Sequence, residues 1–249
     1  MPLRCIASSF AFVLFFGLIG LFVIPSLIVY AFYFAFTKYP EDKFQYLASI
    51  IYKIFFVLLP RVTLEIDLKN DLPRSAIYIS THQSNLDYPI LGSFIEKYII
   101  MTKLKFKNIP FISLVGHLIG IRYLDISNSH REPKLYNEFH EALKNDRNVL
   151  FFAEGSRYDG VKLGKFKKGA FRLAFETKKP IVPIVLSGSV KILTKGNFCF
   201  STTSKRIIRA KTLDPIYPDK FSCERDMLKY TQNLMQEQSD ILNQRDLNV

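Results

Sequence analysis

His82 and Asp87 stand five positions apart in the stretch Ser80-Thr81-His82-Gln83-Ser84-Asn85-Leu86-Asp87-Tyr88-Pro89. Brought into contact, an imidazole and a carboxylate make a general base with its orienting partner. The carboxylate accepts the proton of one ring nitrogen, fixes the tautomer and raises the basicity of the other nitrogen. On a regular helix five residues turn through about 500°, which leaves the two side chains roughly 140° apart. They can therefore meet only across a tight turn at a strand end. Gln83, Ser84 and Asn85 suit such a turn, because their polar side chains satisfy local backbone groups. The bare spacing is a weak signal, since two polar residues in a loop are commonly unrelated.

Further along, Phe152-Ala153-Glu154-Gly155-Ser156-Arg157 offers an arginine, a hydroxyl and a glycine that lets a backbone N–H approach a ligand. Such a set suits a phosphate, which arginine binds bidentately. The plainer interpretation is a turn with a surface ion pair between Glu154 and Arg157. Lys162, Lys165, Lys167, Lys168 and Arg172 make a basic patch that reads mostly as a solvated helix face. Arg122, beside Tyr123 after an apolar run, is a better candidate for a buried anion contact. His117 sits in an apolar helical pattern and reads as a core or interface residue, while His130 and His140 read as solvated. No spacing among them suggests a metal. Cys5, Cys199 and Cys223 are odd in number and far apart. They make no disulfide framework, which fits a reducing compartment.

These groups need elements to hold them. Ala76-Ile77-Tyr78-Ile79-Ser80 reads as a buried strand feeding His82, and a short helix is expected from Tyr88-Pro89. Val149-Leu150-Phe151-Phe152 is a second apolar strand, ending at Ala153. In α/β sheets ligands bind at such strand-to-loop junctions. Residues 61–68 alternate as a half-buried strand, and residues 98–101, 120–124 and 180–186 read as further strands, with 206–210 as an outer one. Helices are expected over residues 111–118, 131–144 and 166–176. From Glu224 onward apolar pairs recur seven apart (Met227/Leu228, Leu234/Met235, Ile241/Leu242), the stripe of a helix docking on its own domain. Strands alternating with helices predict an α/β body with helices on both sides of a sheet.

The N-terminus is of another kind. No charged residue falls between Arg4 and Lys38, a run of 33 residues. As continuous helix that is about 50 Å, against a hydrocarbon core of about 30 Å. Gly17, Gly20 and Pro25 offer a break, so one tilted, kinked helix or a hairpin dipping into one leaflet would fit. A signal peptide has a shorter apolar region, typically about 7–15 residues. Residues 46–59 are too short to span and read as a helix lying at the interface or packed on the body, ended by Pro60. The formal net charge is +12 and the excess lies after the apolar run, which fits a cytoplasmic face beside anionic lipid. Nucleic acid is the other usual partner of such charge, but no nucleic-acid-binding motif is present.

Taken together, the blocks resemble the glycerolipid acyltransferase family, the type that includes 1-acylglycerol-3-phosphate and related lysophospholipid acyltransferases. Four blocks match in order: residues 82–87, residues 103–125, residues 152–157 trailed by Phe166-Lys167-Lys168-Gly169-Ala170-Phe171, and Ile181-Val182-Pro183-Ile184. They cover roughly residues 76–190. The resemblance implies a mixed central sheet flanked by helices, with an N-terminal membrane-embedded helix or helical hairpin. The implied division is a membrane anchor and interfacial helix over 1–60 and a catalytic domain over 61–249. The implied reaction moves a fatty acyl group from acyl-CoA or acyl-carrier protein to a lysophospholipid hydroxyl at a membrane, with no bound cofactor and no covalent acyl-enzyme. His82 would be the base and Asp87 its partner. Glu154, Gly155, Ser156 and Arg157 would hold the glycerol phosphate, and Pro183 would shape the acyl-donor side. The chain departs from the pattern at Ala153 (a proline in the family), at Ser156 (a threonine) and at Ile126, where the second block ends in a phosphate-contacting arginine. Arg122, four residues earlier, could substitute. The head group is thus left open between glycerol phosphate and a larger one, and a non-catalytic lipid-binding protein stands as the alternative from another class.

Overall fold

Strand β2 (Ile77–Ser80) is buried at every position and pairs in parallel with β5 (Asn148–Phe152) on one side and β6 (Ile181–Ser187) on the other. A strand covered on both faces reads as a continuous apolar run, which is why these three segments carry so little polar alternation. The computed structural model describes residues 37–59, 61–108, 116–124, 133–158, 162–194, 200 and 206–247. Among them a seven-stranded sheet runs in the order β1-β7-β6-β2-β5-β3-β4. The remaining strands are β1 (Val62–Asp67), β3 (Tyr98–Lys103), β4 (Ile121–Leu124) and β7 (Arg206–Thr212). Every neighbouring pair is parallel except β6 with β7, so the sheet is mixed.

Helices cover both faces, as expected. Helices α3 (Pro133–Lys144), α4 (Gly169–Thr177) and α6 (Glu224–Leu247) pack on one side, where Phe139, Phe171, Leu173, Met227, Met235 and Leu242 meet Ile77, Ile79, Val149 and Ile181. On the other side lie α1 (Glu41–Leu58), α2 (Asp87–Gly92) and α5 (Ser189–Ile192), with Phe56, Ile90, Leu91 and Ile192 against Tyr78, Leu150, Val182 and Ile184. The apolar stripe of the last helix thus docks on its own domain.

Some elements differ from expectation for identifiable reasons. Helix α4 begins at Gly169 rather than Phe166, and the residues before it are tied instead to the loop after β5, where the Lys167 N–H donates to Ala153 O (2.8 Å). The outer strand expected over 206–210 is β7, and it lies second from the edge because β1 pairs beyond it. Pro183, mid-strand in a central position, lacks an N–H to donate. Its carbonyl faces Leu213 N, one residue past the end of β7, so the missing donor falls where the ladder has stopped.

Helix α1 is packed on the body. Its inner face buries Phe44, Gln45, Tyr52 and Phe56, and its first turn carries Glu41 and Asp42 to the buried Arg147 (3.1 and 2.7 Å). Its other face leaves Tyr46, Leu47, Ile50, Ile54, Val57 and Leu58 exposed, Val57 by 83% and Leu58 by 74%. No helix among the described residues is long and apolar enough to cross a membrane. Residues 1–36, most of the expected anchor, lie outside the described residues, as do Pro60, Asp125, Ile126, His130 and the start of the helix expected over 111–118.

Candidate active site

Beyond Ser80 the chain stays tied to β6 before it turns. The N–H of Thr81 donates to Ile184 O (3.2 Å), and the Thr81 hydroxyl accepts from Leu186 N–H (2.9 Å). The turn that follows closes on one carboxylate. Asp87 Oδ2 accepts from the N–H of Gln83 (2.6 Å), the N–H of Ser84 (2.8 Å) and His82 Nδ1 (2.8 Å). Asp87 Oδ1 accepts from the Ser189 hydroxyl (2.6 Å). The aspartate is fully buried, a position a carboxylate tolerates only when donors meet its lone pairs, as they do here.

With Nδ1 donating to Asp87, Nε2 is the ring nitrogen left to take a proton. The imidazole stacks on Phe152 (centroids 3.8 Å apart, planes at 15°) and keeps 18% of its side chain exposed. The histidine is fixed on two sides and open to a substrate. Beneath α2 the Tyr98 hydroxyl donates to the Tyr88 hydroxyl (3.1 Å), and burial pushes the Tyr98 phenol up to about 12.

The loop after β5 is stitched to this turn. The Tyr158 N–H donates to His82 O (2.9 Å), and Arg157 Nη1 donates to Asn85 Oδ1 (2.9 Å). This places Arg157 at the rim beside the histidine, with Ser156 half-buried next to it. Glu154 turns inward. Its carboxylate accepts the N–H of His82 (3.4 Å) and of Gly164 (3.0 Å). Burial pushes its pKa up to about 7, opposed by those two N–H groups. It braces backbone, so the expected surface ion pair between Glu154 and Arg157 is absent from this loop, and so is a carboxylate facing a phosphate. Gly155 has φ +69, a conformation that strains L side chains, and its N–H is spent on Phe152 O (3.0 Å).

Six of the residues expected at the site are therefore brought together: His82, Asp87, Glu154, Gly155, Ser156 and Arg157. Two are not. Arg122 lies on β4, the edge strand, three strand spacings or about 14 Å from β2. Its guanidinium is held by Glu138 Oε2 (2.7 Å) and Glu41 Oε1 (3.2 Å), so the anions it contacts are the protein's own. Pro183 alternates with Ile181 and Val185 and so shares their face, under α3, α4 and α6, opposite the Phe152 side where His82 stacks. Ser189 and Phe152 carry no mark in the sequence as contacts of the pair, yet one bonds Asp87 and the other stacks on His82. For Ser189 the available signal is its place just past a strand that turns out to neighbour β2. Among the described residues no group of His, Cys, Asp or Glu could hold a metal ion.

A mixed α/β sheet carrying a histidine–aspartate pair at the carboxyl end of a central parallel strand defines a recognisable class. The acyltransferase family profile matches residues 63–187, half of the chain, and the protein belongs to that family. It is 32% identical over 165 residues to 1-acyl-sn-glycerol-3-phosphate acyltransferase BAT2, chloroplastic, of Brassica napus, covering 65% of this chain and 47% of that one. To LPAT1, chloroplastic, of Arabidopsis thaliana, a protein of the same description, it is 31% identical over 185 residues, covering 73% and 51%. To 1-acyl-sn-glycerol-3-phosphate acyltransferase of Saccharomyces cerevisiae it is 31% identical over 187 residues, covering 71% and 62%. The chain spans about half the length of the two plant relatives. The crystal structure of the 1-acyl-sn-glycerophosphate (LPA) acyltransferase PlsC from Thermotoga maritima superposes with a TM-score of 0.75 over 96% of this chain and 98% of that one. At 20% identity this likeness establishes a shared fold.

Proposed function

We propose that this protein transfers a fatty acyl group from an acyl thioester to the free hydroxyl of 1-acylglycerol-3-phosphate, giving phosphatidic acid. The observation that carries the reading is the 2.8 Å contact of His82 Nδ1 with Asp87, at a rim shared with Arg157. His82 Nε2 takes the proton of the acceptor hydroxyl as its oxygen attacks the thioester carbonyl. The tetrahedral intermediate collapses, the carbon–sulfur bond breaks, and the leaving thiolate recovers the proton from the imidazolium. Arg157 holds the acceptor phosphate, helped by Ser156. Fixing both substrates against the pair supplies orientation. The donor is acyl-CoA or acyl-carrier protein, which present the same thioester on different carriers.

Membrane attachment belongs to the same proposal. Residues 1–38 embed in the bilayer, and the exposed apolar stripe of α1 continues that contact into the interface. The basic body then sits on the cytoplasmic face beside anionic lipid.

A second acceptor is favoured by one observation: Arg122 is engaged by carboxylates, which leaves Arg157 as the arginine at the rim. A lysophospholipid with a larger head group would need no further cation. Mass spectrometry of products from the purified protein, offered acyl-CoA and a panel of lyso-acceptors, separates the readings. Phosphatidic acid as the dominant product is expected. Dominant products with a larger head group would reassign the acceptor, and no product from any acceptor or donor would leave a lipid-binding protein.

A further inference from the structure

The Asp87 carboxylate is held from two directions. Its own turn supplies three donors, all to Oδ2. Among the described residues Oδ1 receives one donor, the Ser189 hydroxyl, which arrives from 102 residues further along the chain. The three donors to Oδ2 all come from residues 82–84, the turn that Asp87 itself closes. Among the described residues the Ser189 hydroxyl is the donor that holds the other oxygen, and it holds the carboxylate from outside the turn, along the line on which His82 Nδ1 is drawn. We propose that Ser189 is a positioning residue of the acyl-transfer site, setting the orientation of Asp87 and through it the aim of His82 Nε2. This rests on the reading of His82 and Asp87 as the base and its partner.

The corner that delivers Ser189 is built for close approach. Gly188 adopts φ +86 between β6 and α5, and a Cβ there would lie 2.1 Å from Ile207 O, against backbone that cannot give way. Only glycine allows the chain to turn so tightly at this point. Ser189 is fully buried at the first residue of α5. The same short helix grips the turn a second time, where the Ser84 hydroxyl donates to Leu193 O (2.7 Å) and itself accepts from Leu86 N–H (3.3 Å). The turn bearing His82 and Asp87 is thus clamped between its own backbone and the end of the neighbouring strand. Buried serines at strand ends ordinarily satisfy backbone carbonyls. Here the hydroxyl instead completes a charge-assisted bond to a fully buried carboxylate. The family profile ends at residue 187, two residues before this contact.

The test compares S189A, S189T and H82A in the full-length protein in lipid, with acyl-CoA and the preferred lyso-acceptor. Leaving Oδ1 without its donor in S189A should lower kcat about 10- to 100-fold, the scale on which a small misplacement of a catalytic group slows a reaction. KM for both substrates should stay within about threefold, because Ser189 touches neither. S189T, which restores the hydroxyl, should recover most of the rate. If S189A fails to fold by circular dichroism, S189C takes its place with a smaller but still measurable fall in kcat expected, of about 5- to 10-fold, because its thiol is only a weak donor. An unchanged kcat in S189A (or in S189C, where that replaces it), or a rise in KM in place of a fall in kcat, or a folded S189T as slow as S189A, overturns the role of Ser189. Full turnover by H82A would instead sink the catalytic pair itself, whatever the serine variants do.

Discussion

Two charged clusters in this protein look alike in a contact list and differ in what they leave open. In one, Arg147 and Arg122 meet Glu41, Asp42 and Glu138 at 2.7–3.2 Å, with Arg147 only 2% exposed. Each of these arginines already has two carboxylates, and burial raises the Asp42 carboxyl above its ordinary range against the pull of Arg147. In the other, the fully buried Asp87 has its donors met while His82 keeps Nε2 and an exposed edge. The first cluster is closed and clamps α1 to the body. The second leaves His82 Nε2 without a partner among the described residues, at an exposed edge where a substrate hydroxyl can reach it. A buried ion pair is therefore weak evidence of a site until one of its members is found with an atom to spare.

The sharpest way to break this contrast is to cut each cluster once and see which property falls. H82A should lower kcat about 10²- to 10⁴-fold, the usual contribution of a general base, while stability falls by about 1–2 kcal/mol, since Asp87 keeps its three other donors. R147A should do the reverse. Leaving Glu41 and Asp42 facing an empty buried position should cost about 3–5 kcal/mol of stability, read by denaturant unfolding, with the kcat of the folded fraction little changed. A large loss of stability in H82A, or of kcat in folded R147A, would erase the distinction. Arg157 tests the rim. Removing a charge-assisted contact to phosphate should raise KM for a phosphate-bearing acceptor about 10- to 100-fold with kcat held. A change confined to acyl-donor preference would place Arg157 on the wrong side of the site.

The remaining effect is on stability alone and concerns Glu154. Its carboxyl is pushed from 4.5 up to about 7 in the folded protein, so between those values the unfolded chain releases a proton that the native state keeps. Stability from this group is present in full below about pH 4.5 and is lost as pH rises through about 7, about 3 kcal/mol at most. The thermal midpoint of the wild type should therefore fall with pH across that window more steeply than that of E154Q. Parallel slopes would mean that Glu154 is ionised throughout.

Much of the arrangement is local, and the residues announce it. The apolar run before His82, the polar turn and the five-residue spacing are enough to expect a strand, a turn and a meeting of imidazole with carboxylate. All three occur, because the donors that close the turn, Gln83 N–H and Ser84 N–H, belong to the same few residues. The glycine and arginine of residues 155–157 are legible for the same reason. The alternation of strands and helices likewise gives an α/β sheet with helices on both faces, since backbone periodicity is written in the chain itself.

What the amino-acid order does not carry is which distant segments become neighbours. Arg122 reads as a buried anion contact, and it is one, but its anions are Glu138 and a glutamate 81 residues away. Glu154 reads as a rim residue and is folded inward by two backbone N–H groups. Ser189 has no mark in its own surroundings, and becomes a partner of Asp87 only because β6 lies beside β2 in the sheet. Strand order is settled by the summed packing of two apolar faces, a property of the whole chain. Chemistry within one turn can be read from spacing, whereas chemistry between turns waits on the sheet.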